Sequence, residues 1–216
     1  MKEMTLDNIY LYRMVHIDNV PHILKNGITH RHSKNADPNY IQIGDANLIG
    51  FRSEISVNVE NGEKIVLGDF IPFYFGVRMP MLYVVQHGGN FVSEAFRASN
   101  IVYVVVKLNS LLSAGFTFYF SDGHGTDRLT TFYNSSKIDL LPSIIDWNAV
   151  TAHKWGGEDV ETDIRRRKQA EFLVGNDIPS DLIFGFVCCD ESSKDKLVSM
   201  GAQNETIKIF PNAYYL

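Results

Sequence analysis

Arg165-Arg166-Arg167-Lys168-Gln169-Ala170-Glu171-Phe172-Leu173-Val174 places four cations directly before an apolar segment that carries a single carboxylate. In a strand, successive side chains alternate faces, so Gln169, Glu171 and Leu173 share one side while Ala170, Phe172 and Val174 share the other. Residues 170–174 read as a buried strand, and a carboxylate entering such a strand is costly unless it is paired or used. Two readings stand at this point: an edge glutamate paired with one of the preceding arginines, or a carboxylate kept for chemistry. Taken alone, the run 165–168 reads as a solvated charge cluster.

On either side of this segment, strands and short helices follow one another without regular alternation. Residues 9–15, 71–75, 101–107, 116–120, 183–188 and 207–210 are rich in β-branched and aromatic side chains and read as strands. Asp18 is expected to cap a helix that Gly27 ends, Asp45 a second one carrying Leu48, Ile49 and Arg52, and Asn109 a turn of helix ending at Gly115. An apolar helical stretch lies around residues 81–86, and another helix runs over 192–200. Asn61-Gly62 marks a turn. The polar stretch 29–44 has no periodicity, and loops of that length inside a domain are often functional. The pattern favours an α+β class in one domain, residues 1–216.

Composition narrows the function classes. Hydrophobic residues make up 45% and charged residues 21% of the chain, which excludes a disordered polypeptide. The net charge is −5, which argues against a broad footprint on duplex DNA but leaves room for a local basic patch on a single strand. Cys188 and Cys189 are adjacent, so no disulfide framework forms within the chain and a reducing compartment is expected. The first residues lack an apolar leader segment and the longest apolar run, 101–106, is too short to span a bilayer, so a cytoplasmic location is expected.

No dinucleotide-binding glycine pattern, P-loop, nucleophile elbow or zinc-protease motif is present. His30 and His32 are close together but have no further ligand at metal spacing, so no metal site is expected. Arg52 follows Ile49 by three and Leu48 by four, beside an apolar stripe, which suits either a snorkelling arginine or a site residue. His16 ends a strand, and the aromatic segment Pro72-Phe73-Tyr74-Phe75-Gly76 is most simply core.

In order along the chain, these residues resemble the DarT family of DNA ADP-ribosyltransferase toxins. The matching stretches begin with Tyr12-Arg13-Met14-Val15-His16-Ile17-Asp18-Asn19-Val20-Pro21-His22-Ile23-Leu24-Lys25-Asn26-Gly27 and Ile43-Gly44 with Leu48-Ile49-Gly50-Phe51-Arg52. They continue through Ile71-Pro72-Phe73-Tyr74-Phe75-Gly76, Pro80-Met81-Leu82, Phe120-Ser121-Asp122-Gly123-His124, Ile145-Asp146-Trp147 and Gln169-Ala170-Glu171-Phe172-Leu173-Val174. The resemblance implies a PARP-like ADP-ribosyltransferase fold, two small packed β-sheets around an NAD cleft with short peripheral helices. It implies transfer of ADP-ribose from NAD, as co-substrate, to a base in single-stranded DNA, with thymine the expected acceptor and nicotinamide released. It also implies a toxin–antitoxin setting with a macrodomain antitoxin of the DarG type.

On that resemblance Glu171 and Arg52 are the catalytic candidates. Glu171 would stabilise positive charge at the ribose, and Arg52 would stabilise a base that has lost its proton. His16, Asn19, Gly27 and Tyr74 would hold NAD, Tyr74 by stacking on the nicotinamide. His124, Trp155, Arg165, Arg166 and Arg167 would contact the single strand, the cations through the backbone and the indole by stacking. The alternatives are guanine, RNA or protein as acceptor on the same fold, or a non-catalytic member that binds nucleic acid.

Overall fold

A run of seven residues with six buried positions, Ile101–Lys107, forms the strand around which the rest is built; the structure, a computed structural model, describes residues 4–88, 92 and 94–216. The leader reading rests in part on residues 1–3, which lie outside the described residues. The strands are β1 (Tyr10–His16), β2 (Ser56–Asn58), β3 (Lys64–Val66), β4 (Ile71–Tyr74), β5 (Ile101–Lys107), β6 (Phe118–Ser121), β7 (Phe132–Tyr133), β8 (Glu171–Val174), β9 (Ile183–Cys188) and β10 (Ile207–Ile209). The helices are α1 (Val20–Asn26), α2 (Ala46–Glu54), α3 (Pro80–His87), α4 (Leu108–Ser113), α5 (Leu141–Ile144), α6 (Trp147–Thr151), α7 (Ile164–Arg167) and α8 (Glu191–Ser199). Among the described residues no helix is long and apolar enough to cross a membrane.

Eight strands join in the order β10-β9-β5-β1-β4-β8-β6-β7, all antiparallel to their neighbours except β10 beside β9. The sheet is in effect two four-stranded halves. β1 pairs with β5 over seven residues and β4 with β8 over four, but β1 and β4 meet only where Tyr12 faces Tyr74. The two sheets implied by the family resemblance are these halves, and β2 and β3 form a separate hairpin closed at Gly62.

One face of both halves packs on the helices. Leu11, Val15, Phe73, Val104, Phe172 and Val174 are buried there against Val20, Leu111, Leu141, Val150 and Leu197. The alternation read from the sequence holds on β8: Phe172 and Val174 enter this core, whereas Leu173 joins a smaller cluster with Ile65, Leu67, Tyr119 and Phe132. Glu171 shares the side of Leu173.

Two expected caps are placed differently. Asp18 lies in a 3-10 turn before α1 and pairs with Lys196 at 2.6 Å, leaving Asn19 at the cap position without a side-chain capping bond. The Asn109 amide reaches Asp7 rather than capping α4, which starts one residue earlier at Leu108. Long-range partners outcompete the local backbone for both side chains. Asp45 does cap α2, its Oδ1 accepting the Leu48 N–H at 2.9 Å.

Candidate active site

The seam between the halves opens into a cleft of about 440 Å³, within the usual range of small-ligand sites. Arg13, Met14 and Val15 of β1 line one side, and Ile71, Pro72 and Tyr74 of β4 the other, with Leu48, Ile49 and Arg52 of α2 closing it. The long loop 29–44 forms a further wall. It is tied down by His30, whose backbone N–H donates to Asp177 at 2.7 Å and whose Nε2–H donates to the Gly68 carbonyl at 2.7 Å. Its far end is held by Asn19, which donates to the Ile41 carbonyl at 2.8 Å and accepts the Ile41 N–H at 2.9 Å.

At the floor, Arg52 and Glu171 meet through two parallel charge-assisted hydrogen bonds, Nη1 to Oε1 at 2.9 Å and Nη2 to Oε2 at 2.7 Å. Glu171 is completely buried, and the Gly125 N–H donates to its Oε1 at 2.8 Å. Burial alone would push this carboxyl up, but the Arg52 guanidinium, then His124 and the hydrogen bonds outweigh it, so the group lies below its ordinary value and is a carboxylate at neutral pH. Arg52 is the mirror case: burial opposes its charge and Glu171 restores it, with a net rise. Gly125 is demanded by close approach. A Cβ there would lie 2.9 Å from Arg52 Nη1 and 3.0 Å from Glu171 Oε1.

His124 completes the group on the cleft wall. Burial lowers its proton affinity first; Glu171 raises it and Arg52 lowers it, and the net value is below the ordinary 6.5, so the imidazole is neutral at pH 7. Tyr74 stands opposite Glu171 in the β4–β8 register, its hydroxyl made a weaker acid by burial and by the Glu171 charge. Glu171, Arg52, Tyr74 and His124 therefore come together, although they lie far apart in the chain.

The other sequence-nominated residues fall into three places. Asn19 and Gly27 line the cleft. Gly27 has φ +80°, and a Cβ there would sit 2.0 Å from the Ile178 carbonyl oxygen, so its backbone role is fixed by α1's end and the Ile28–Ile178 bridge. His16 is not among the cleft-lining side chains. Its ring accepts the Asp18 N–H at 3.2 Å and packs edge-on against Phe96 at 5.5 Å. Burial lowers its proton affinity, partly countered by Asp18.

The cationic run is not solvated as a unit. Arg166 binds Asp163 through Nε at 2.8 Å and Asp122 through Nη1 at 2.8 Å, and its carbonyl accepts the His124 N–H at 3.0 Å. Arg167 pairs with Asp146, Glu161 and Asp163. Lys168 is 1% exposed and donates to the Val150 carbonyl at 2.9 Å; burial, helped by Arg78, pushes its ammonium down to about 8. Arg165 is exposed, with its guanidinium 5.6 Å from the centre of the Trp155 ring.

Two participants escaped the sequence reading. Arg13 lines the cleft, donates from Nη1 to the Pro72 carbonyl across the seam at 2.9 Å, and has a buried Nε with no protein partner. A charge inside an apolar strand is the signal that singled out Glu171, and it applied here too. The Gly125 N–H carries no side-chain signal at all. His30 and His32 lie with ring centres 5.3 Å apart, and among the described residues no group of three or more acidic, histidine or cysteine side chains could hold a metal.

Comparison with known proteins agrees with this geometry. A family model described as ssDNA thymidine ADP-ribosyltransferase, DarT, matches residues 12–215. A DNA ADP-ribosyl transferase of Escherichia coli O127:H6 is 32% identical over 87% of this chain and 83% of its own length. The structure of Thermus sp. 2.9 DarT in complex with ADP-ribosylated ssDNA superposes with a TM-score of 0.82 at 26% identity, covering all of both chains. The same protein with NAD+ gives 0.75 at 25% identity, over 96% of this chain and 98% of that one. A DNA ADP-ribosyl transferase–DNA ADP-ribosyl glycohydrolase fusion protein of Thermosipho africanus is 26% identical over 94% of this chain and 48% of its own length. The split sheet around the cleft is an ADP-ribosyltransferase fold, and the chain belongs to the DarT family of single-stranded-DNA thymidine ADP-ribosyltransferases.

Proposed function

We propose that this chain, as one domain, transfers ADP-ribose from NAD to the ring nitrogen of thymine in single-stranded DNA, with Glu171 and Arg52 as the catalytic pair. The observation that carries the assignment is the buried, bidentate Arg52–Glu171 pair at the floor of the seam cleft. As the nicotinamide–ribose bond breaks, its electron pair leaves with nicotinamide and positive charge grows on the ribose; a desolvated carboxylate beside it stabilises that charge. The depressed proton affinity of Glu171 suits this electrostatic role and makes it a poor proton acceptor. The thymine ring nitrogen then bonds to the ribose and loses its proton. Only two of the five Arg52 N–H donors serve Glu171, so the guanidinium can also steady the developing anion, and the neutral His124 imidazole takes the proton.

The donor set of the cleft fits NAD. Arg13 offers a guanidinium with one unmatched, buried nitrogen to a pyrophosphate, Tyr74 a ring for the nicotinamide, and Asn19 and Gly27 a fixed wall. We assign strand contact to Arg165 and Trp155 at the rim, whereas Arg166 holds the loop of His124 and Gly125 and Arg167 braces the segment before β8 through Asp146, Glu161 and Asp163. His16 supports the NAD wall through the turn it caps. The physiological setting we infer is a cytoplasmic toxin restrained by a macrodomain antitoxin; the fused glycohydrolase of the Thermosipho protein and the buried free thiols of Cys188 and Cys189 support it. Mass spectrometry of short single strands incubated with NAD tests the reading. Pools with thymine should gain one ADP-ribose with the wild type and none with Glu171→Ala, and modification of pools lacking thymine would overturn the acceptor.

A further inference from the structure

Helix α3 has one apolar side turned inward, with Leu82 and Val85 buried and Met81 and Val85 reaching the cleft. Its other side carries aromatic rings to the surface, where the core has no use for them. Tyr83 is 43% exposed and stacks on exposed His87 with ring centres 4.1 Å apart and planes 19° from parallel. Trp155 stands edge-on to Tyr83 at 6.0 Å, and Tyr215 does the same at 5.2 Å. The platform is braced from below: Tyr215 donates its hydroxyl to the Arg78 carbonyl at 2.9 Å, and the Arg78 guanidinium lies 4.1 Å from the Tyr215 ring centre.

We propose that Tyr83, His87 and Trp155, with Arg165 at their edge, form a stacking subsite for a nucleobase near the modified one in the same DNA strand. This rests on the single-stranded-DNA reading above and adds to it a second point of attachment. Rigid aromatic faces interleaved with guanidinium groups suit a base and its phosphate, and every unpaired base has a π-face to offer. The charge agrees: in a chain of net charge −5, this patch gathers Arg78 and Arg165. The patch is also continuous with the reaction site. Arg165 is close enough to depress the proton affinity of His124, and the next residue, Arg166, holds the His124 N–H. A helix is about 10 Å across, so a strand leaving the cleft around α3 reaches the platform within a few nucleotides.

The test uses oligonucleotides with one thymine, each flanking nucleotide in turn replaced by an abasic site, and steady-state transfer by wild type, Tyr83→Ala and Tyr83→Trp. Tyr83→Ala should raise KM for DNA roughly tenfold or more, the scale of losing one base–aromatic stack. The kcat at saturating DNA and NAD affinity by thermal shift should stay within about twofold, and Tyr83→Trp should restore KM. At one flanking position the abasic strand should cost the wild type the same factor and Tyr83→Ala nothing more. An unchanged KM, a fall in kcat alone, or a penalty that multiplies with every abasic position would overturn the subsite while leaving the transferase reading intact. Failure of the wild type to modify any single strand would remove both.

Discussion

Replacing Glu171 by glutamine keeps the shape of the side chain and removes its charge, which tests whether the buried pair stabilises the fold or strains it. In the wild type three donors converge on the carboxylate, at 2.9, 2.7 and 2.8 Å. Glutamine offers one acceptor oxygen and one NH2, and in either orientation that NH2 meets an Arg52 N–H, a donor against a donor, with the Gly125 N–H added in one of them. Breaking a buried pair by removing one partner costs about 3–5 kcal/mol. The Arg52 side chain is 14% exposed, so some of its charge can be recovered by water, and about 2–3 kcal/mol is the expected loss. For a chain of this length that lowers Tm by about 4–12 °C. Because the folded carboxyl sits below its ordinary value, its contribution is complete above pH ~4.5 and is lost as pH falls through the folded value. Thermal denaturation of both proteins across pH 3–8 should therefore show a gap that is flat above about pH 5 and closes on the acid side. Transfer activity should fall by about 10²–10³ or more in parallel. A Glu171→Gln protein as stable as the wild type, or more stable, would refute the argument: the carboxylate would then be held at a cost to the fold, and Arg52 would not be its stabilising partner.

Three further outcomes follow from the same geometry. Gly125→Ala puts a methyl group 2.9 Å from Arg52 Nη1 and 3.0 Å from Glu171 Oε1, so kcat should drop at least roughly tenfold while stability changes by about 1 kcal/mol; an unchanged kcat would mean the pair moves aside freely. Arg166→Ala should lower kcat with little change in KM for DNA, since its side chain is spent on Asp122 and Asp163; a rise in KM alone would make it a strand contact. Lys168 is held down from 10.5 to about 8, so between those pH values the unfolded chain binds more protons and wild-type stability rises with pH, by up to about 3 kcal/mol. Denaturant titrations at pH 7.5 and 10 should show this rise against a Lys168→Met reference, and its absence would mean that water reaches the ammonium.

What the sequence could disclose here was set by distance along the chain. Strands announce themselves locally: the β-branched run of Ile101–Lys107 needs no partner to be read, and neither does the Asp45 cap one turn from the Leu48 N–H. Glu171 stood out because Ala170 before it and Phe172, Leu173 and Val174 after it are apolar, which makes a charge there expensive. Whether that charge was paired locally or used was undecidable, because its partner Arg52 is 119 positions away. The same blindness misplaced the cationic run. Four adjacent charges look solvated until Asp122, 44 residues before Arg166, and Asp146, 21 before Arg167, are folded against them. Asn19 shows the converse, a polar side chain legible as a site residue whose amide is spent 22 positions on, at Ile41, holding a wall of the cleft. Backbone donors such as the Gly125 N–H have no signature of their own, and the exposed face of Tyr83 is marked only by Gln86 and His87, three and four positions on, so packing decides that its ring stays out. In this fold the strands are local facts, whereas the role of each charge belongs to whatever the split sheet brings to meet it.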